Sequence, residues 1–245
     1  MIRWVQDIVR TIWFFFKFAI IIVAGYFLFL GLLRFLMHPA VTTLIEGSPT
    51  ALDFWARLVT AVNIMGGLFL ITWGLHFIDR YLFRGWLVKR GQIFSRGPFP
   101  LLTIFTFPFF HGDYGHLWGT TRFTILFAGL AVMFIPSLSL VLQVGIIMFL
   151  VQGIGVWIFG KKGKSHVGTS GLMLGLFSFD VLFGILELGW QTAVALLLLF
   201  FFGKNMYRTL MDRGPKTSVE THMWGFFSGL VIAYLVSPFG PLSIY

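Results

Sequence analysis

A chain of 245 residues that is 58% hydrophobic and 19% aromatic, with 11% charged residues and a mean hydropathy of +0.89, lies outside the range of soluble domains and reads as a polytopic membrane protein. A formal net charge of +9 in such a chain belongs beside the anionic headgroups of the cytoplasmic leaflet, so the lipid bilayer is the expected partner and nucleic acid is not. The absence of cysteine excludes a disulfide framework, thiolate chemistry and Cys-ligated metals, and leaves hydroxyls or a metal-bound water for any hydrolysis.

A membrane span needs about twenty mostly apolar residues. Seven stretches qualify: 12–37, 58–78, 114–135, 138–159, 169–187, 190–208 and 219–237. The first follows Arg3, Arg10 and Lys17, but its apolar run is too long for a signal peptide and no small-x-small cleavage site follows, so it reads as a retained anchor. The expected organisation is therefore an N-terminal anchor and loop, 1–57, ahead of a helical core, 58–245. Between the second and third spans, Asp79 to Asp113 mixes Tyr81, Phe83, Trp86 and Phe94 with Arg80, Arg84, Lys89, Arg90 and Arg96, a composition suited to the headgroup layer. His38 and His76, near span ends, are expected in the same layer. Arg122 falls inside the third span, where pairing with Asp113 or snorkelling would accommodate it.

Charge placement fixes an orientation. If the N-terminus and the connections after the second, fourth and sixth spans share one side, that side holds all 18 basic residues except Arg34, Arg57 and Arg122. The positive-inside rule puts that side in the cytoplasm and the C-terminus outside.

The fifth span opens on Gly168-Thr169-Ser170-Gly171, and the seventh carries His222-Met223-Trp224-Gly225 near its start, both toward the basic side. A histidine in a span is costly and by default functional. A neutral imidazole is also the base that activates a serine hydroxyl. Gly171 and Gly175, like Gly225 and Gly229, repeat at spacing four and give each helix a flat strip for close approach, which would bring Ser170 and His222 together. Glycine-mediated packing without catalysis has the same signature. Asp180 lies ten residues beyond Ser170 on the same helix, about 15 Å along it, too far to orient His222. The pair is a dyad.

These residues carry a resemblance. The G-x-S-G serine, the histidine of H-x-x-G-x-x-x-G at His222, Gly225 and Gly229, and the H-x-x-x-x-H-L run from His111 to Leu117 together resemble the rhomboid intramembrane serine proteases, over roughly 58–237. Val156-Trp157-Ile158-Phe159-Gly160, with His166 ahead of the serine motif, is similar to the same family, and the extra first span resembles its one-plus-six layout. The resemblance implies an all-α rhomboid-like six-helix core plus an N-terminal span, with peptide-bond cleavage in or near transmembrane segments of protein substrates. It implies Ser170 as nucleophile and His222 as base, without cofactor or metal. It also implies an oxyanion site made by the Ser170 N–H, His116 and the residue four beyond it, with His111 organising the loop. That last position, an asparagine in the family, is Thr120, whose hydroxyl offers one donor. Leu102 and Thr103 stand where the family has Trp-Arg, and Leu174 where an aromatic stacks on the histidine. Two other functions remain open: a rhomboid-like pseudoprotease that binds membrane clients, and a metal-dependent hydrolase using His111, Asp113, His116 and His222.

Overall fold

The computed structural model describes residues 49–98, 102–135, 137–214 and 217–242. The expected first span, 12–37, and His38 lie outside them. The chain divides into two compact units, Met1–Trp55 and Ala56–Tyr245, and the second holds the site.

Among the described residues, six long apolar helices follow in order: α1 (Pro49–Ile78), α4 (Tyr114–Phe134), α5 (Leu138–Phe159), α6 (Ser170–Leu186), α7 (Trp190–Met211) and α8 (Val219–Val236). Between α1 and α4 lie the short helices α2 (Trp86–Gly91) and α3 (Thr103–Thr106). This is an integral, multi-pass helical bundle, and five of the six long helices have the length and composition to cross a membrane. The exception is α6, whose 17 residues rise about 26 Å against a hydrocarbon core of about 30 Å. It is the central helix: every residue from Ser170 to Asp180 is buried, with α8, α7 and α4 packed around it. The expected second span, 58–78, starts nine residues earlier than expected, at Pro49.

The glycine strips meet. A Cβ added to Gly225 would stand 2.8 Å from Gly171 Cα, and one added to Gly175 would stand 2.8 Å from the Gly225 carbonyl oxygen. Close approach lets Ser178 Oγ donate across to Phe226 O at 2.7 Å. Hydrogen bonds of this kind and dispersion contacts hold helices together in lipid, where the hydrophobic effect between them is weak.

The connection from Asp79 is folded. A five-residue π-helical turn, Asp79–Phe83, leads into α2, whose first amides are capped by the Asp79 carboxylate: Leu87 N donates at 2.7 Å and Val88 N at 3.2 Å. Strand β1 (Ile93–Phe94) then pairs antiparallel with β2 (Ser165–His166), Ile93 opposite His166 and Phe94 opposite Ser165. Two-residue strands leave no periodicity to read in a sequence. Arg96 N donates to Trp157 O at 2.8 Å and the Trp157 indole to Gly97 O at 3.1 Å, fastening the connection to the end of α5. Tyr81, Leu82, Phe83, Trp86 and Phe94 remain exposed. His76, expected in the headgroup layer, is instead buried, with Nδ1 3.1 Å from His111 O and its ring edge-on to Tyr114.

Candidate active site

Ser170 is the first residue of α6 and His222 the fourth of α8, and both are buried at the same end of the bundle. His222 Nε2 lies 3.0 Å from Ser170 Oγ, within hydrogen-bond reach. The close approach of Gly171 and Gly225 lies one residue beyond Ser170 and three beyond His222. A cavity of about 700 Å³ opens beside the pair, with His116, Thr120, His166 and Asp212 among its walls.

The loop into α6 is held from two directions. Gly168 adopts φ +111°, and a Cβ there would stand 2.6 Å from His116 Cε1, so only glycine fits both the backbone and the ring. Its N–H donates to Phe107 O at 2.9 Å, in the 3-10 turn Phe107–Phe109. The Ser170 N–H belongs to the first turn of a helix, whose amides have no intrahelical acceptor. Opposite stands His116 on α4, where the Asp113 carboxylate caps the helix by accepting from His116 N at 2.8 Å.

His111 packs edge-on against His116, with ring centroids 5.3 Å apart. Its Nε2 accepts from Thr169 N at 3.3 Å and lies 3.2 Å from Thr120 Oγ1. Burial, then the neighbouring His116 charge, lowers the His111 pKa to about 3, so the ring is neutral. Thr120 Oγ1 donates to His116 O at 2.9 Å and accepts from Thr169 Oγ1 at 2.8 Å. Its one proton is thus directed along its own helix, and a role as oxyanion donor competes with that bond.

Two residues carry more than the sequence indicated. His166 donates from Nε2 to Ser95 Oγ at 2.8 Å, since the Ser95 proton goes to Val156 O at 2.9 Å. Its Nδ1 accepts from the hydroxyl of Ser218, the residue that caps α8. One imidazole thereby links the connection after α1, the loop before Ser170 and the helix carrying His222, and burial lowers its pKa to about 4. Lys164 supports the same junction from outside, pairing with Glu220 at 3.6 Å. Asp212, just after α7, accepts from Gly214 N at 2.9 Å and from the Thr217 hydroxyl at 2.8 Å; these bonds lower its pKa and keep a carboxylate at the cavity wall. The Asp-x-Gly turn was its only sequence signal. Asp180, by contrast, is fully buried with no hydrogen-bond partner among the described residues, and takes no part in the pair.

Site and fold together define a multi-pass helical membrane protein with a serine and an imidazole hydrogen-bonded at one end of its bundle. A family model described as the Rhomboid domain matches residues 98–239, and the chain belongs to the rhomboid family. The match begins at 98, inside the expected range of resemblance. The chain is also similar to the uncharacterized proteins Rv1337 of Mycobacterium tuberculosis and Mb1372 of Mycobacterium bovis, each 30% identical over 138 residues, covering 53% of this chain and 57% of theirs. A Mycobacterium leprae relative, ML1171, is 29% identical over 138 residues, covering 54% of its length. The match thus spans little more than half of these curated relatives.

Proposed function

We propose that this protein is a serine endopeptidase that cleaves peptide bonds in or near transmembrane segments, using Ser170 and His222. The observation that carries the reading is the 3.0 Å Nε2–Oγ contact at the wall of a cavity large enough to admit a peptide backbone. His222 takes the Ser170 proton as Oγ attacks the scissile carbonyl, then returns it to the leaving amine; water then attacks the acyl carbon, losing a proton to His222, which passes it to Oγ as the acyl group is released as a carboxylic acid. The Ser170 N–H and His116 are the oxyanion donors. Thr120 fixes His116 through its carbonyl, and Gly168, Gly171, Gly225 and Gly229 allow the close packing. His111 orders the loop, and Asp212 places negative charge where the imidazolium forms. The N-terminus and the cavity mouth face the cytoplasm, the side where basic residues collect. Support for a metal centre is weaker, because the His111 Nε2 lone pair that a metal would take already accepts from Thr169 N.

A client-binding pseudoprotease is the second reading, favoured by the Thr120 proton being directed at His116 O. The test is cleavage of a labile transmembrane reporter by the purified protein in liposomes. Loss of cleavage in both Ser170→Ala and His222→Ala is expected, with a gain in Thr120→Asn. No cleavage by either the wild type or Thr120→Asn, with the reporter still bound, would sink the protease reading in favour of the second.

A further inference from the structure

A second depression, of about 560 Å³, adjoins the first and shares with it the walls made by His116, Thr120 and Thr209. It lies between α4 and α7, with Phe123, Met173 and Met206 as an apolar floor. Arg122 and Arg208 frame it from opposite helices. Both are exposed, and among the described residues neither has an ion-pair partner. Arg122 stands eight residues into α4, about 12 Å along its axis. Its guanidinium rests over the Phe123 ring at 4.7 Å. A guanidinium at that depth in an apolar span is costly unless an anion or water-lined space receives it. On the same wall Gly119 has open space around it, and a Cβ on Gly115 would meet only Asp113 Oδ1, at 3.3 Å. A polypeptide backbone can therefore run close to α4 on its way to Ser170.

We propose that this groove is a specificity subsite for a carboxylate side chain of the substrate polypeptide, held by Arg122 and Arg208 while the flanking apolar residues rest on the methionine and phenylalanine floor. Continuity with the serine's cavity favours a substrate segment over a lipid phosphate: whatever fills the groove is contiguous with the peptide at Ser170. A planar guanidinium is suited to bidentate pairing with a carboxylate, and in a partly desolvated groove that pairing is worth far more than on an open surface. The site selects transmembrane proteins with an Asp or Glu close to the cleaved bond.

This inference rests on the protease reading for its substrate but is tested by binding. Fluorescent transmembrane peptides carrying Asp, or isosteric Asn, at successive positions around the labile bond are titrated against the full-length Ser170→Ala protein in phosphatidylcholine nanodiscs. At the favoured position the Asp peptide is expected to bind about 10-fold more tightly than its Asn partner. That ratio is expected to fall to about one when Arg122→Gln and Arg208→Gln are combined. A ratio near one in the parent protein at every position, or a preference that survives in the double variant, overturns the subsite. Equal weakening of both peptides by the double variant, seen only in phosphatidylglycerol nanodiscs, overturns it in favour of a lipid phosphate. An Asp preference without any cleavage by the wild type keeps the subsite and removes the protease.

Discussion

Gly225→Ala tests how the dyad is set. The new Cβ would stand 2.8 Å from Gly171 Cα, where two carbons ordinarily need about 3.5–4.0 Å. The Gly171 carbonyl carbon and oxygen lie closer still, and all three are backbone atoms that cannot turn away as a side chain would, so α6 and α8 must separate by about 1 Å. Ser170 lies one residue before Gly171 and His222 three before Gly225, so the separation passes directly to the pair. Its 3.0 Å contact opens to about 4 Å, beyond a hydrogen bond. Overpacking of this kind costs about 1–3 kcal/mol, which leaves the bundle folded, and a misplacement near 1 Å costs about 100-fold in rate. The assay is the initial rate of reporter cleavage in liposomes, together with labelling of Ser170 by a fluorophosphonate, which reads the activated hydroxyl without a substrate. Gly74→Ala on α1, where an added Cβ meets nothing within 4 Å, serves as the control and should keep both signals. If Gly225→Ala were labelled and cleaved at the parent rate, the glycine contact would not govern the dyad distance.

Two further outcomes follow from buried polar groups. Asp180→Leu removes a carboxyl that is buried without a hydrogen-bond partner among the described residues, and the thermal midpoint in detergent should rise, corresponding to about 1–3 kcal/mol; a lower midpoint would mean the carboxyl has a stabilising partner. Burial lowers the His166 pKa from 6.5 to about 4, so the folded state holds this ring neutral while the unfolded chain protonates it near 6.5. Its contribution to stability is complete above that value and is lost as pH falls from 6.5 toward about 4. Thermal midpoints across that window should fall less steeply in His166→Gln than in the parent, and identical slopes would remove His166 from the pH response.

The bundle was legible because spans are written in composition: α4 to α8 start and stop within a few residues of the expected apolar runs, with lysines and arginines between them. The Ser170–His222 pairing was legible for a related reason. Glycines at spacing four state which faces can approach, and each catalytic candidate sits beside such a strip. What escaped was everything decided by the direction of a hydrogen-bond donor. Thr120 was readable as a polar group one turn beyond His116, but whether its single proton faces the cavity or the His116 carbonyl depends on Thr169, brought alongside by a turn that only the fold creates. His76 was misplaced because a histidine near a span end looks amphipathic until the His111 carbonyl and the Tyr114 ring enclose it. Ser95 and His166, 71 residues apart, meet through a two-residue strand pair too short to pattern a sequence.

The distribution of the site along the chain also bears on how the protein is made. His116, Ser170 and His222 lie on three different helices, and the imidazole belongs to the last of them, tied through Ser218 to His166 in a loop synthesised earlier. On the proposed dyad, a chain that has delivered everything up to Met211 during insertion from the ribosome carries the serine without the base that would draw off its proton. Arrival of α8 then supplies the proposed base and braces the loop in the same event. On that reading the nascent chain is harmless to the other polypeptides crowded at the insertion site until α8 is in place.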